Sequence, residues 1–435
     1  MLRLIILIAF LGGMAQAKTV SPSQSLKAEH IPAYTCVRTF HIAPGANGDG
    51  SAAHPWGSIQ AANDSSVLMA GDCVTLADGE YPIVKAISLT HGGNRNDTTG
   101  YVVYRAEHRK GAHLVAHADS YQIININTAY LILDGLDIDG NHALAGGEGI
   151  VTSNSAAHHH IVVENCHVHG MGGGGIQLND AEYFWIIGNE TDHNTATNHW
   201  QESGISTYQA QTAAPFDPTP ADSLPWHIII AGNISHDNFE TYACDIPGCH
   251  TDGNGIIVDK TLNVDRKDGI PYTGGILVTD NVTYGNGGGG IQVYLSEYVT
   301  ITNNTAYNNR LDTQNSSTWR GELSNMDSNH TLWINNIAYA VPGTGLLAEN
   351  TPFLVAVTDT VRKSDHVVLE TNLFYGADAR FLARDMPKPS YSINADPRFR
   401  DKASGDFSLS AGSPAFETGA SLSFRVSMTS NIGAR

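Results

Sequence analysis

The sequence is short of positive charge: 24 Lys and Arg stand against 43 Asp and Glu, a net charge of −19. Nucleic-acid binding is excluded, because neutralising phosphates needs clustered basic side chains. Long-range attraction of a polyanion is excluded as well, so an acidic partner needs a metal ion or a local cation. Long apolar runs are scarce. The one at the start, Leu4 to Leu11, follows Arg3 and precedes Ala15-Gln16-Ala17, the pattern of a secretory signal cleaved after Ala17. No later segment approaches the roughly 18 apolar residues of a membrane span. A sustained 3.6-residue apolar period is absent too, which argues against a helical solenoid. Cysteine is sparse, with five residues. In an oxidising compartment Cys36/Cys73 and Cys244/Cys249 are candidate disulfides, with connectivity open, and Cys166 reads as a buried free thiol.

What the chain has instead is glycine, 44 residues, and a recurrent asparagine. Apolar runs end in Asn at 165, 189, 233, 281, 304, 336 and 372, at spacings of 24, 44, 48, 23, 32 and 36 residues. A unit of 23 to 24 residues with insertions is the mark of a solenoid. After each Asn a Gly-rich lead-in opens another short run, as in GGEGIVTS, GGGGIQLN, ESGISTY, DGNGIIVD, GGGGIQVY and RGELSN. Two or three short strands per turn predict an all-β chain, a parallel β-helix with N- and C-terminal caps. Stacked turns align the Asn side chains into buried amide ladders, which makes the sequons at Asn189, Asn233 and Asn281 poor glycan acceptors. The expected layout is a signal at 1–17, a segment and cap at 18–117, repeats at 118–395, and a final turn and cap at 396–435.

The longest insertions flank one strand column. Residues 209–225 and 260–273 follow it, and 194–201, 239–251 and 308–319 precede it, so they wall a trough over that sheet. Strand alternation turns Gln177, Asn179, Ser206, Tyr208, Ile257, Asp259, Gln292 and Tyr294 outward as its floor. Four turns make a trough on the order of 15–20 Å, room for a few sugars. Tyr208 and Tyr294 are candidate stacking platforms, with Gln292, Asn254 and Glu322 as further substrate contacts; Trp200, Trp226 and Trp319 border the trough. His169, His193 and His236 fall in a rough column with Tyr284, Tyr307, Tyr339 and Tyr375, which reads as stacking of turn residues rather than metal ligation.

FHIAPGANGDG…HPWGSIQAA…AGDCVTLADGEY (Phe40 to Tyr81) resembles the N-terminal cap of secreted right-handed β-helix proteins of the pectate-lyase superfamily. DPRFRDKASGDFSLSAGSPAFETG (Asp396 to Gly419) resembles their final turn. The resemblance implies an exported protein acting on carbohydrate, here expected to be a monomer with a polysaccharide as partner. HTDGNGIIVDK also resembles the Asp-Gly lead-in that supplies a calcium ligand in lysine-base pectate lyases, and Arg320 in WRGEL lies two strands later, where that family carries its base.

The leading expectation is β-elimination from a uronate polymer, which needs a base beside the sugar carboxylate and a cation on it. Lys260 or Arg320 is the candidate base and His250 a proton carrier; Asp252, Asp245 and Glu202 are candidate Ca²⁺ ligands. The next turn, NGGGGIQVY, carries none of the acids the family has there. Hydrolysis by paired carboxylates, Asp252 with Glu202 or Glu322, is the second reading, at separations of about 5–5.5 Å or 6.5–9.5 Å. HTDG resembles the NTDG motif of polygalacturonases, but the Gly-His-Gly and Arg-Ile-Lys motifs that should follow are absent. A glycan-binding β-helix without catalysis is the third.

Overall fold

The computed structural model describes residues 34–95, 99–152, 158–213, 222, 225–245, 249–314, 321–341, 353–356, 364, 366–376 and 391–416. Two large parallel sheets, of 21 and nine strands, carry the chain, with a single short helix, Ile59–Asp64, among the described residues. The larger sheet consists of two ladders. One stacks strands such as His158–Glu164, Ala181–Ile187, Trp226–Ala231 and Gly275–Thr279. The other stacks three-residue strands such as His167–His169, Glu190–Asp192, Ile234–His236 and Val282–Tyr284. The nine-stranded sheet runs from Ile87–Leu89 through Ile205–Tyr208 and Ile256–Asp259 to Phe353–Ala356. Each coil therefore has three faces, and the fold is a right-handed parallel β-helix. The coil ladder reaches back to Arg38–Ile42, paired with Asp72–Leu76, so the stretch expected to form a cap also contains coils.

The bends explain the repeat. A coil this tight needs left-handed backbone at its corners, where Gly, Asn and Asp are tolerated best. At the first bend Asn165, Gly188, Gly232, Asp280, Asn303, Asn335 and Thr371 all have φ between 52° and 65°. The residue after each belongs to a buried ladder: Asn189 N and Nδ2 both donate to Asn233 Oδ1, and the pattern continues through Asn281, Asn304, Asn336 and Asn372. Asn165 was expected in this column, but Cys166 occupies it, with Cys166 N donating to Asn189 Oδ1 at 2.9 Å. The final dipeptide of each run is a left-handed residue followed by a ladder residue, so reading from the first Asn displaces that turn by one.

A second amide ladder, at the next bend, had no counterpart in the sequence reading. It links Asn194, Asn238, Asn286 and Asn309 and ends on Glu322. The third bend, after the nine-stranded sheet, stacks hydroxyls: Thr261 N donates to Ser296 Oγ and Ser296 N to Ser328 Oγ. Inside the coils Ile176, Ile205, Ile256, Ile291 and Leu323 align in fully buried rows. Burial of such rows on every face supplies the main stabilisation, about 25 cal/mol per Å² of apolar surface. Cys36–Cys73 and Cys244–Cys249 are disulfides, and Cys166 is a buried free thiol, its pKa pushed up to about 12 by burial.

Candidate functional site

The nine-stranded sheet is the floor of the candidate groove. Its register puts Gln177, Ser206, Ile257, Gln292 and Ser324 in one outward row and Asn179, Tyr208, Asp259, Tyr294 and Met326 in the next. Neighbours in a row stand about 4.8 Å apart, the spacing of adjacent strands. Tyr208, Asp259 and Tyr294 are half-buried, whereas Gln292 is nearly covered and donates Nε2 to Met326 Sδ at 3.3 Å. Asp259 thus sits between two phenols on consecutive coils.

Lys260 follows Asp259 at the third bend, with φ 54° in line with Gln209 and Leu295. Its Nζ lies 2.7 Å from Asp265 Oδ2 and 5.8 Å from the centroid of the Tyr208 ring. The pKa of Lys260 is raised: burial alone would lower it, but the Asp265 hydrogen bond and Asp259 outweigh that. Lys260 therefore keeps its proton and offers a fixed positive charge rather than a base. Asp259 is pushed up to about 8, by burial first and then by Asp252, against a smaller opposing pull from Lys260. The phenols of Tyr208 and Tyr294 are also raised by burial, with Lys260 pulling them down. The loop beyond Lys260 folds back along the sheet, where Arg266 bonds Asp180 Oδ1 and, at 2.8 Å, Gln211 Oε1.

The opposite edge, where chains lead into the floor strands, is lined with carboxyls. Glu202 accepts from Gly174 N at 2.5 Å and Asn198 Nδ2 at 3.2 Å. Its pKa is raised well above the usual range by burial and by the nearby Glu148 carboxyl. Glu240 is pushed up to about 9 by burial, with Asp252 and Asp312 adding to it. Asp252 accepts from Asn254 Nδ2 at 3.1 Å. His250 Nδ1 pairs with Asp312 Oδ2 at 3.0 Å, both side chains less than a tenth exposed. Glu148, Glu240 and Asp312 were not singled out from the sequence. Glu148 stands where neighbouring coils have Gly174, Ser203 and Asn254, and an acid breaking a column of small and amide residues was the available signal.

The predicted residues divide accordingly. Tyr208, Tyr294, Asp259 and Lys260 converge at one edge of the floor; Glu202, Asp252 and His250 lie along the other. Asn254 is fully buried, donating to Ser203 Oγ and accepting from Gly289 N, so it braces the turn that presents Asp252. Glu322 is fully buried as well, its carboxylate accepting from Asn309 N and Nδ2, so it ends the second ladder and does not face the trough. Asp245 is largely exposed, 3.7 Å from His199. Trp200 is exposed beside His199, and Trp226 is buried in the long-strand ladder. Arg320 and Trp319 lie outside the described residues.

Among the described residues, two groups of His and acidic side chains bring three donor atoms within 4.8 Å of one another: Asp137, His167 and His169, and His167, Glu190 and Asp192. Both lie on the short-strand ladder. Asp252, Asp245 and Glu202 form no such group, so the expected calcium ligands do not come together at the floor. The sequence column of His169, His193 and His236 is also corrected by one place: the register runs His169, Asp192, His236, Tyr284, Tyr307, Tyr339, Tyr375.

No protein-family model matches the chain, and no curated protein matches it. Solved structures do. The A-module of mannuronan C-5 epimerase AlgE4 from Azotobacter vinelandii is similar at TM-score 0.50 and 16% identity, over 81% of this chain and 94% of that one. Pectate lyase Pel9A gives TM-score 0.49 and 16% identity, over 92% and 97%. A rhamnogalacturonan lyase gives 0.45 and 13%, over 82% and 87%. At these identities the likeness is one of fold: the chain is a parallel β-helix.

Proposed function

We propose that the protein is a secreted polysaccharide lyase that cleaves a uronate-containing polymer in the groove over the nine-stranded sheet. The observation that carries this reading is the pairing of a fixed cation, Lys260, with a carboxyl next to it, Asp259, whose proton is exchangeable near neutral pH. A β-elimination needs both groups within one sugar of each other. The positive Nζ offsets the charge of the sugar carboxylate and so acidifies the carbon-bound proton beside it. Asp259 takes that proton. A carboxylate with a pKa near 8 is a far stronger base than an exposed one and still has a usable deprotonated fraction at neutral pH. The electron pair of the C–H bond becomes the new double bond, the bond to the glycosidic oxygen breaks, and that oxygen takes a proton from the phenol of Tyr208 or Tyr294.

The rest of the groove supports an anionic substrate. Glu202 and Glu240 are held toward the neutral form by burial, so these two acids beside the floor add little repulsion despite the protein's net charge of −19. The likeness to the mannuronan C-5 epimerase module agrees with a fold suited to uronates. No step runs through calcium, because Glu202, Asp252 and Asp245 do not converge.

The test is incubation of purified protein with a panel of uronate polymers, with and without chelator, read by the ultraviolet absorbance of the unsaturated product. Product formation that chelator leaves intact is expected. New reducing ends on a neutral glycan without that absorbance would establish hydrolysis instead.

A further inference from the structure

The outer face of the short-strand ladder carries a cluster that the groove chemistry does not use. Strands His167–His169, Glu190–Asp192 and Ile234–His236 lie on three successive coils, with Val168, Thr191 and Ser235 turned inward. The outward positions of the middle strand are both acids. His167 is in register with Glu190 and His236 with Asp192, so an imidazole flanks the acids on either side.

We propose that this face binds one divalent transition-metal ion of the Zn²⁺ type, through His167 Nε2, Glu190 Oε1, Asp192 Oδ2 and His236 Nε2. His167 Nε2 is 2.6 Å from Asp192 Oδ2; His236 Nε2 is 3.5 Å from Glu190 Oε1 and 4.0 Å from Asp192 Oδ2. Donors around a tetrahedral Zn²⁺ at bond lengths of about 2.0–2.2 Å stand about 3.4 Å apart, and each of these three separations lies within about 1 Å of that. Two imidazoles with two carboxylates suit Zn²⁺ or its neighbours in the transition series, not Ca²⁺ or Mg²⁺, which take oxygen alone.

Both imidazoles are oriented from behind. His167 Nδ1 faces Asp137 Oδ1 at 2.8 Å, and His236 Nδ1 faces Asp237 Oδ2 at 2.8 Å. A carboxylate on Nδ1 holds the proton there and aims the Nε2 lone pair at the metal, the usual outer support of a histidine ligand. The ring planes are fixed by stacking, His167 on His169 at 4.2 Å and His236 on Tyr284 at 4.6 Å between centroids. Lys110 bonds Glu190 through Oε2, leaving Oε1 on the side of His236. The ion replaces the protons that otherwise bridge these pairs. Because its ligands come from three coils, it clamps the solenoid along its axis, remote from the groove sheet.

The full chain, stripped with EDTA and dialysed into metal-free buffer, is titrated with ZnCl₂ by calorimetry and followed by thermal unfolding. One Zn²⁺ per chain and an EDTA-reversible rise in Tm are expected. H236Q and H167Q should each weaken binding by at least about 100-fold, and D237N by about 10–100-fold. H169Q removes only the ring stacked on His167 and no ligand atom, so it should weaken binding far less than H236Q does. If H167Q fails to fold, H236Q at the margin of the cluster carries the test. Absence of saturable Zn²⁺ uptake, unchanged binding in H236Q, or loss of binding in H169Q but not H236Q would each overturn the proposal.

Discussion

Asp259 links the stability of the fold to the proposed chemistry, and Asp259→Asn separates the two. The side chain is raised from 3.8 to about 8 because ionising it leaves a charge against the packed floor, near Asp252, with Oδ1 buried and without a hydrogen-bond partner. In the unfolded chain the same group titrates near 3.9. Between those two values the folded state holds a proton that the unfolded state has released, so stability falls as pH rises from about 4 to 8 and stays reduced above. At 1.36 kcal/mol per pKa unit the ceiling on that loss is about 6 kcal/mol. The side chain is partly open to the groove, and solvent screening brings the expected loss to about 1–3 kcal/mol. Asn carries no charge and nearly the same volume, so the variant should gain that amount at pH 9 and almost nothing at pH 4. In thermal unfolding of a chain this long the gain should read as roughly 1–4 °C. Turnover on the best uronate substrate should fall by at least about 100-fold, since the base is gone. The parent's kcat/KM should rise with pH up to about 8 as Asp259 deprotonates. Equal responses of Tm to pH in parent and variant would refute the burial reasoning, and an unchanged rate would remove Asp259 from the mechanism.

Lys260→Met keeps the stem over Tyr208 but removes the charge; kcat/KM on uronates should fall by about 100-fold or more, with binding of a neutral oligosaccharide of similar size unchanged by calorimetry. Glu322→Gln should lower Tm by weakening the end of the second ladder while kcat and KM stay within about twofold; a rise in KM alone would return Glu322 to the substrate. Asn281→Ala removes the acceptor of Asn233 N and Nδ2 and the donor to Ile230 O, and should cost about 2–4 kcal/mol in denaturant unfolding. Cys166→Asn should extend the first ladder by one coil, since Sγ already points at Leu133 O, 3.8 Å away, where an amide could donate; a Tm increase of about 1–2 °C is expected.

The fold was legible because a solenoid repeats its local physics. Left-handed corners select Gly, Asn and Asp, buried turns select a self-pairing amide, and inward rows select Ile, Val and Leu, so the same short pattern returns at every coil. The floor was legible for the same reason: strand alternation placed Tyr208, Asp259 and Tyr294 outward, as the register shows. The one-place error at Asn165 arose because a left-handed Asn and a ladder Asn look alike in sequence. Glu322 and Asn254 were read as groove contacts because acids and amides in loops resemble ligands until their hydrogen bonds are seen.

By itself, then, the sequence determined the coil, its corners, its amide ladders and the face that the long insertions border, since each depends on neighbours within a few residues or on translation by one repeat. Only the tertiary structure decided which side chains keep their protons. Asp259, Lys260 and Glu202 owe their charge states to burial and to partners up to 54 residues away, Asp265 and Glu148 among them. It also decided that His167, Glu190, Asp192 and His236, spread over 70 residues, share one patch of surface. Electrostatic energies depend on distance through space and on the water excluded from it, and neither is a local property of the chain.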